Sequence, residues 1–150
     1  MSILFINGSP EKSGHTVGLA KNMLAGKEYD ELDLVDMKVY GYGQEFDDDQ
    51  FEEVLARIKA ADVVVIGSPV YWHNLSGMVR NLIDRFYGPV PEGSMVGKTL
   101  YLLFQGAAPE KWMLDSGKYT MSRFAGLYGF AWGGMATTPS QARDLGKSLE

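Results

Sequence analysis

Between an apolar run ending at Ile6 and a helical pattern beginning near Thr16 lies Asn7-Gly8-Ser9-Pro10-Glu11-Lys12-Ser13-Gly14-His15-Thr16, where hydroxyl side chains and glycines are concentrated. Such residues at a strand-to-helix junction can bind an anion. Successive backbone N–H groups wrap it, glycines leave it room, and the positive end of the next helix faces it. Ser9, Ser13 and Thr16 add hydroxyl donors, and Lys12 and His15 add positive charge. The same residues also spell an ordinary turn whose serine caps the helix, so the loop alone leaves both readings open. A second cluster, Pro69-Val70-Tyr71-Trp72-His73-Asn74, places aromatic rings at the exit of the most apolar strand pattern. A third, running from Gln105 through Gly106 and Ala107 to Ala108, offers an amide side chain and small residues whose backbone a ligand can approach. An anion cradle, aromatic surface and backbone amides together fit a phosphate joined to a planar heterocycle. Packing of Tyr71 and Trp72 against the end of a sheet is the alternative.

The elements that must position these clusters alternate along the chain. Ser2 to Ile6, Asp62 to Ser68 with its Val63-Val64-Val65-Ile66 run, and Thr99 to Phe104 read as strands covered on both faces. Tyr29 to Asp36 reads as a less apolar second strand, and Phe130 to Ala136 as a fifth weakened by Gly133 and Gly134. Between them fall helical patterns: Val17, Ala20 and Leu24; Phe51, Val54, Leu55 and Ile58; Leu75, Val79, Leu82, Ile83 and Phe86; and Tyr119, Phe124, Leu127 and Tyr128. Thr138-Pro139 opens a last helix over Ala142 and Leu145, with cap and proline in their preferred places. Asp49 and Glu52 have capping-box spacing, which favours a helix start over a cation site for the Asp47-Asp48-Asp49 triplet. Gln105 to Gly117 reads as a long loop. Five strand-then-helix repeats predict a doubly wound parallel sheet in the order 2-1-3-4-5, with strands one and three side by side at the topological switch point. There the three clusters meet.

Composition excludes several classes of function. A chain of 150 residues that is 45% apolar is sized for one domain spanning 1–150. No run approaches the roughly 18 apolar residues of a membrane span, and the start has no basic-then-apolar leader, so no membrane association and a cytoplasmic location are expected. With no cysteine, disulfides, thiolate metal sites, iron–sulfur clusters and cysteine nucleophiles are all excluded. Two scattered histidines do not make a metal site. A net charge of −5 argues against nucleic acid and requires local dipoles to hold any phosphate.

The residues that carry these readings resemble those of a known family. Gly8-Ser9-Pro10 through Ser13-Gly14-His15-Thr16 is similar to the phosphate loop of the NADPH-dependent FMN reductase family of flavodoxin-like proteins. Ser68-Pro69-Val70-Tyr71-Trp72, followed by Asn74-Leu75-Ser76-Gly77 and Ile83-Asp84-Arg85, resembles the same family's flavin loop and its helix. The resemblance implies a three-layer α/β/α flavodoxin-like fold that binds FMN. It places the phosphate on Ser9, Ser13, His15 and Thr16, the ring and ribityl chain on Pro69 to Asn74, and Gln105-Gly106 on the other side. It further implies NAD(P)H as donor, a small-molecule electron acceptor and a homodimer, to which Trp112, Tyr119 and Tyr128 would contribute aromatic surface. Two departures stand out. Some relatives carry cluster-binding cysteines where this chain has Gly41 to Asp49, and Glu11 stands where relatives often have a basic residue.

Other phosphate-handling classes fit less well. Gly93-Ser94-Met95-Val96-Gly97-Lys98-Thr99 is one residue short of a nucleotide P-loop and enters a strand rather than following one. A receiver domain needs carboxylates where this chain has Asn7-Gly8-Ser9. A flavodoxin-like single-electron carrier would bind FMN in the same way and is the remaining alternative to a reductase.

Overall fold

Strands whose side chains are apolar on both faces must be covered twice, and β1 (Ile3–Asn7), β3 (Val63–Tyr71) and β5 (Thr99–Gln105) are built this way. In the computed structural model, which describes residues 1–149, alternate residues of each strand enter two separate cores. Leu4, Ile6, Val64, Ile66, Leu100 and Leu102 face α2 (Phe51–Ala60), α3 (Gly77–Asp84) and α4 (Lys111–Tyr128). Ile3, Phe5, Val63, Val65 and Leu103 face α1 (His15–Met23) and α5 (Pro139–Gly146). The remaining strands are β2 (Asp30–Asp33), β4 (Asn74–Leu75) and β6 (Ala131–Ala136).

The five parallel strands lie in the order β2-β1-β3-β5-β6, so the doubly wound, flavodoxin-like arrangement holds and β1 sits beside β3. The count differs from expectation: the sheet has six strands rather than five. β3 runs past Ser68 to Tyr71, and the chain then doubles back so that Val70 and Tyr71 pair antiparallel with Leu75 and Asn74 of β4. A two-residue strand has no periodicity for a sequence pattern to reveal.

Other boundaries moved for local reasons. β2 stops at Asp33, and Leu34–Asp36 form a short 3-10 turn in place of further strand. α4 begins at Lys111, so most of the segment expected as loop is helix. The missing side chain of Gly117 lets α4 approach β5: a Cβ there would stand 2.8 Å from Phe104 Cδ2. β6 survives Gly133 and Gly134 because the β5–β6 register shifts at Leu100/Tyr101, and the Tyr101 ring lies where a Gly133 side chain would be. Asp49 does not stand at the N-cap position of α2, which Gln50 occupies, one residue later than the spacing suggested. Its carboxylate accepts from the first N–H of α2, at Phe51, from Tyr40 N and from both terminal nitrogens of Arg85, the last two at 2.7 and 2.8 Å. Arg85 also donates to Tyr40 O and lies 5.0 Å from the centre of the Phe51 ring, strapping the segment between β2 and α2 onto α3.

Candidate functional site

Because β1 and β3 are neighbours whose chains leave to opposite faces, their exit loops part and leave a crevice. Close approach at its floor requires glycine. A side chain on Gly67 would stand 2.6 Å from Thr16 Cγ2 and 2.8 Å from the Phe5 ring, and one on Gly8 would meet Val79 and Gly67 O. The crevice is a cleft of about 470 Å³ lined by Ser9, Glu11, Gly14, His15, Pro69, Val70, Tyr71, Gln105, Gly106 and Ala107. All three clusters singled out in the sequence therefore contribute to one concavity.

The buried polar side chains among the described residues are Asn7, Ser9, Thr16, Ser68 and Ser76, and all of them lie at this end of the sheet. Burying hydroxyl and amide groups is costly unless they are hydrogen-bonded, and each of these is. Ser76 Oγ donates to Gly8 O at 2.8 Å while accepting from Val79 N, so the residue that caps α3 also ties the first loop to it. Ser68 Oγ accepts from Ser76 N at 2.9 Å and donates to Pro69 O. Gln105 Nε2 donates to Thr16 Oγ1 at 3.3 Å, bridging the exit of β5 to the start of α1. Asn7, Ser68 and Ser76 were missed as site residues. The available signal was a polar residue at the end of an apolar strand, or three positions before a buried valine.

The predicted anion loop has the form such a site needs. α1 begins at His15, its N-cap Gly14 supplies no side chain to close the helix end, and its first turn carries no acidic residue. Ser9 is buried with its Oγ accepting from Glu11 N at 3.1 Å, while His15 remains exposed at the rim. Lys12 points elsewhere: its ammonium sits 2.6 Å from Asp36, whose hydrogen bond raises the lysine pKa. Ser13 lines a neighbouring hollow between α1 and α5. With Glu11 at the cleft wall and Lys12 committed to Asp36, dipoles and neutral donors dominate the cradle, and His15 is its one basic side chain. That donor set suits a phosphate.

The second cluster divides. Pro69, Val70 and Tyr71 line the cleft, and Val70 supports Gly106, where a Cβ would lie 3.0 Å away. Trp72 and His73 form the two-residue turn between β3 and β4, both at positive φ, 48° and 68°, a conformation that costs bulky residues of order 1–3 kcal/mol each. The turn is docked onto α4: the His73 ring lies 5.4 Å from that of Trp112, and Asn74 Nδ2 donates to Ser116 Oγ at 3.3 Å. Trp72 is 93% exposed and touches the rim rather than the wall.

Residues 1–113 match the profile of the family described as NADPH-dependent FMN reductase. Two curated relatives are similar over part of their length. The iron-sulfur flavoprotein of Archaeoglobus fulgidus is 31% identical over 97 residues, 57% of this chain and 48% of the relative. The NADPH azoreductase of Bacillus sp. strain OY1-2 is 33% identical over 88 residues, 56% of this chain and 49% of the relative. The chain thus spans about half the length of the curated relatives it matches. Among solved structures, the Trp repressor binding protein of Bacillus subtilis superposes with a TM-score of 0.79 at 18% identity, covering 96% of this chain and 98% of its own, a likeness of fold.

Proposed function

The chain belongs to the NADPH-dependent FMN reductase family, and from that premise we propose that it is an FMN-dependent NAD(P)H oxidoreductase with a small-molecule acceptor. The observation that carries this reading is the cleft at the switch point, where an uncapped helix start and buried hydroxyls stand opposite an aromatic strand exit. Bound FMN would supply the redox chemistry, taking two electrons and a proton from NAD(P)H and passing them to an acceptor such as a quinone, a nitro compound or free flavin. The loop of residues 9–16 would hold the phosphate through backbone N–H groups, Ser9, Ser13, Thr16 and His15, with Lys12 contributing through its hold on the loop. Pro69, Val70 and Tyr71 would form one wall for the ring and Gln105, Gly106 and Ala107 the other. Trp72, His73 and Asn74 would set the rim, their strained turn fixing where Tyr71 stands. Backbone amides and Gln105 would stabilise negative charge developing on the reduced ring.

Mixed anaerobically with NADH or NADPH, the FMN-loaded protein is expected to lose its oxidised flavin absorbance rapidly with at least one donor. A flavin that stays oxidised with both would favour the single-electron carrier.

We also place the protein in the cytoplasm, where NAD(P)H is available, as one flavodoxin-like domain paired into a homodimer. No helix among the described residues is long and apolar enough to cross a membrane. Support for pairing comes from a groove between α3 and α4, where Tyr87, Tyr119 and Leu127 are exposed beside Arg80, Asp84 and Arg123. Tyr128 does not add to this surface as the sequence suggested, since it is buried against Phe86 and Phe124. Sedimentation at micromolar concentration is expected to give twice the chain mass, and a monomer would count against the pairing.

A further inference from the structure

We propose that Asn7, which is fully buried and not among the residues lining the cleft, is the positioning residue that sets the shape of the anion loop. The inference rests on the reading of residues 9–16 as a phosphate site. Asn7 ends β1 fully buried and uses its amide in three directions. Its Oδ1 accepts from Ser9 N at 3.1 Å, and its Nδ2 donates to Glu11 O at 3.2 Å and to Asp33 Oδ1 at 3.0 Å. One side chain therefore fixes the first and third residues of the loop and anchors both to the end of β2. Other tethers lie elsewhere: Gly8 N–H donates to Gly67 O and Gly8 O accepts from Ser76 Oγ, while Lys12 is held by Asp36 at the surface. Between Gly8 and Lys12, the bonds that reach outside the loop all pass through Asn7. Both donors and the carbonyl of an amide are needed, so neither leucine nor aspartate satisfies the same three partners.

Asn7→Asp keeps the acceptor for Ser9 N but loses the donor to Glu11 O and sets a second carboxylate against Asp33. Asn7→Asp with Asp33→Asn returns a donor to that contact from the other side. The readout is the dissociation constants of FMN and of riboflavin, which lacks the phosphate, measured by flavin fluorescence on the full chain. Asn7→Asp is expected to weaken FMN by about ten-fold or more while leaving riboflavin within about two-fold, and the double variant to recover a large part of the FMN loss. Should Asn7→Asp not fold, Asp33→Ala, which removes one of the three bonds, is expected to weaken FMN alone by about three-fold. Equal losses for both ligands, or an unchanged FMN-to-riboflavin ratio, would overturn the positioning role. A wild-type chain that binds both ligands alike would overturn the phosphate reading, and this inference with it.

Discussion

Replacing Ser9 and Thr16 together by alanine is expected to lower FMN affinity by about 10²- to 10⁴-fold, as two hydrogen bonds to a charged group contribute roughly 1.5–3 kcal/mol each. Both hydroxyls are buried, Ser9 in the wall of the cleft and Thr16 against the lining residue Gln105, where water cannot readily replace them. Each also has a structural partner: Ser9 Oγ accepts from Glu11 N, and Thr16 Oγ1 accepts from Gln105. Removing them therefore loosens the loop as well as depriving the phosphate of donors, and the double variant should fall toward the upper end of the range. With Lys12 turned to Asp36, little positive charge remains to compensate. Equilibrium titration by flavin fluorescence measures the effect, and an affinity within a few-fold of wild type would remove the phosphate from this loop.

The second large effect concerns stability. Arg85→Ala is expected to destabilise the fold by about 3 kcal/mol, because it leaves the Asp49 carboxylate without its partner at a site where both side chains are only 18% exposed. The melting temperature should fall by roughly 6–12 °C in a chain of this size. The same pair gives the acid limb of stability its sign. Chiefly through its hydrogen bonds from Arg85, the Asp49 carboxyl is held down to about 2. A carboxyl depressed in the folded state contributes stability above its unfolded pKa near 4, and that contribution is lost as pH falls from about 4 toward 2. Wild type should thus lose stability over this window, and Arg85→Ala should lose less because the largest cause of the depression is gone. Thermal melts of the two proteins between pH 2 and pH 5 compare them directly, and parallel curves would contradict the assignment.

The strap that Arg85 secures spans the segment between β2 and α2. Here charge and backbone hydrogen bonds hold the segment, through Asp49, Tyr40 and the Asn81 contact to Val39 O. A disulfide or a thiolate-bound metal staple is excluded in a chain without cysteine.

By itself the sequence determined the parallel sheet and the place of the cleft. The runs at Ile3 to Ile6, Val63 to Ile66 and Leu100 to Phe104 are apolar without alternation, which only two-sided burial rewards, and strand–helix repetition then leaves few topologies. The strand-to-helix loop from Asn7 to Thr16 was legible for the same kind of reason: it spans ten consecutive residues, at a junction that local patterning already marks. What tertiary structure decided were the pairings between distant residues. Lys12 looked like a phosphate ligand until Asp36 took its charge, and Asn7 looked like the first residue of the anion loop until Asp33, 26 positions away, met its amide. Gln105 to Gly117 looked like a loop until α4 packed on β5, with Phe104 in the space a Gly117 side chain would fill. Periodicity reports which face of an element is apolar, because burial acts on every residue of that face alike. It does not report which polar partner a buried amide or a surface ammonium finds, because that depends on directional bonds a few ångströms long between segments brought together only by the fold.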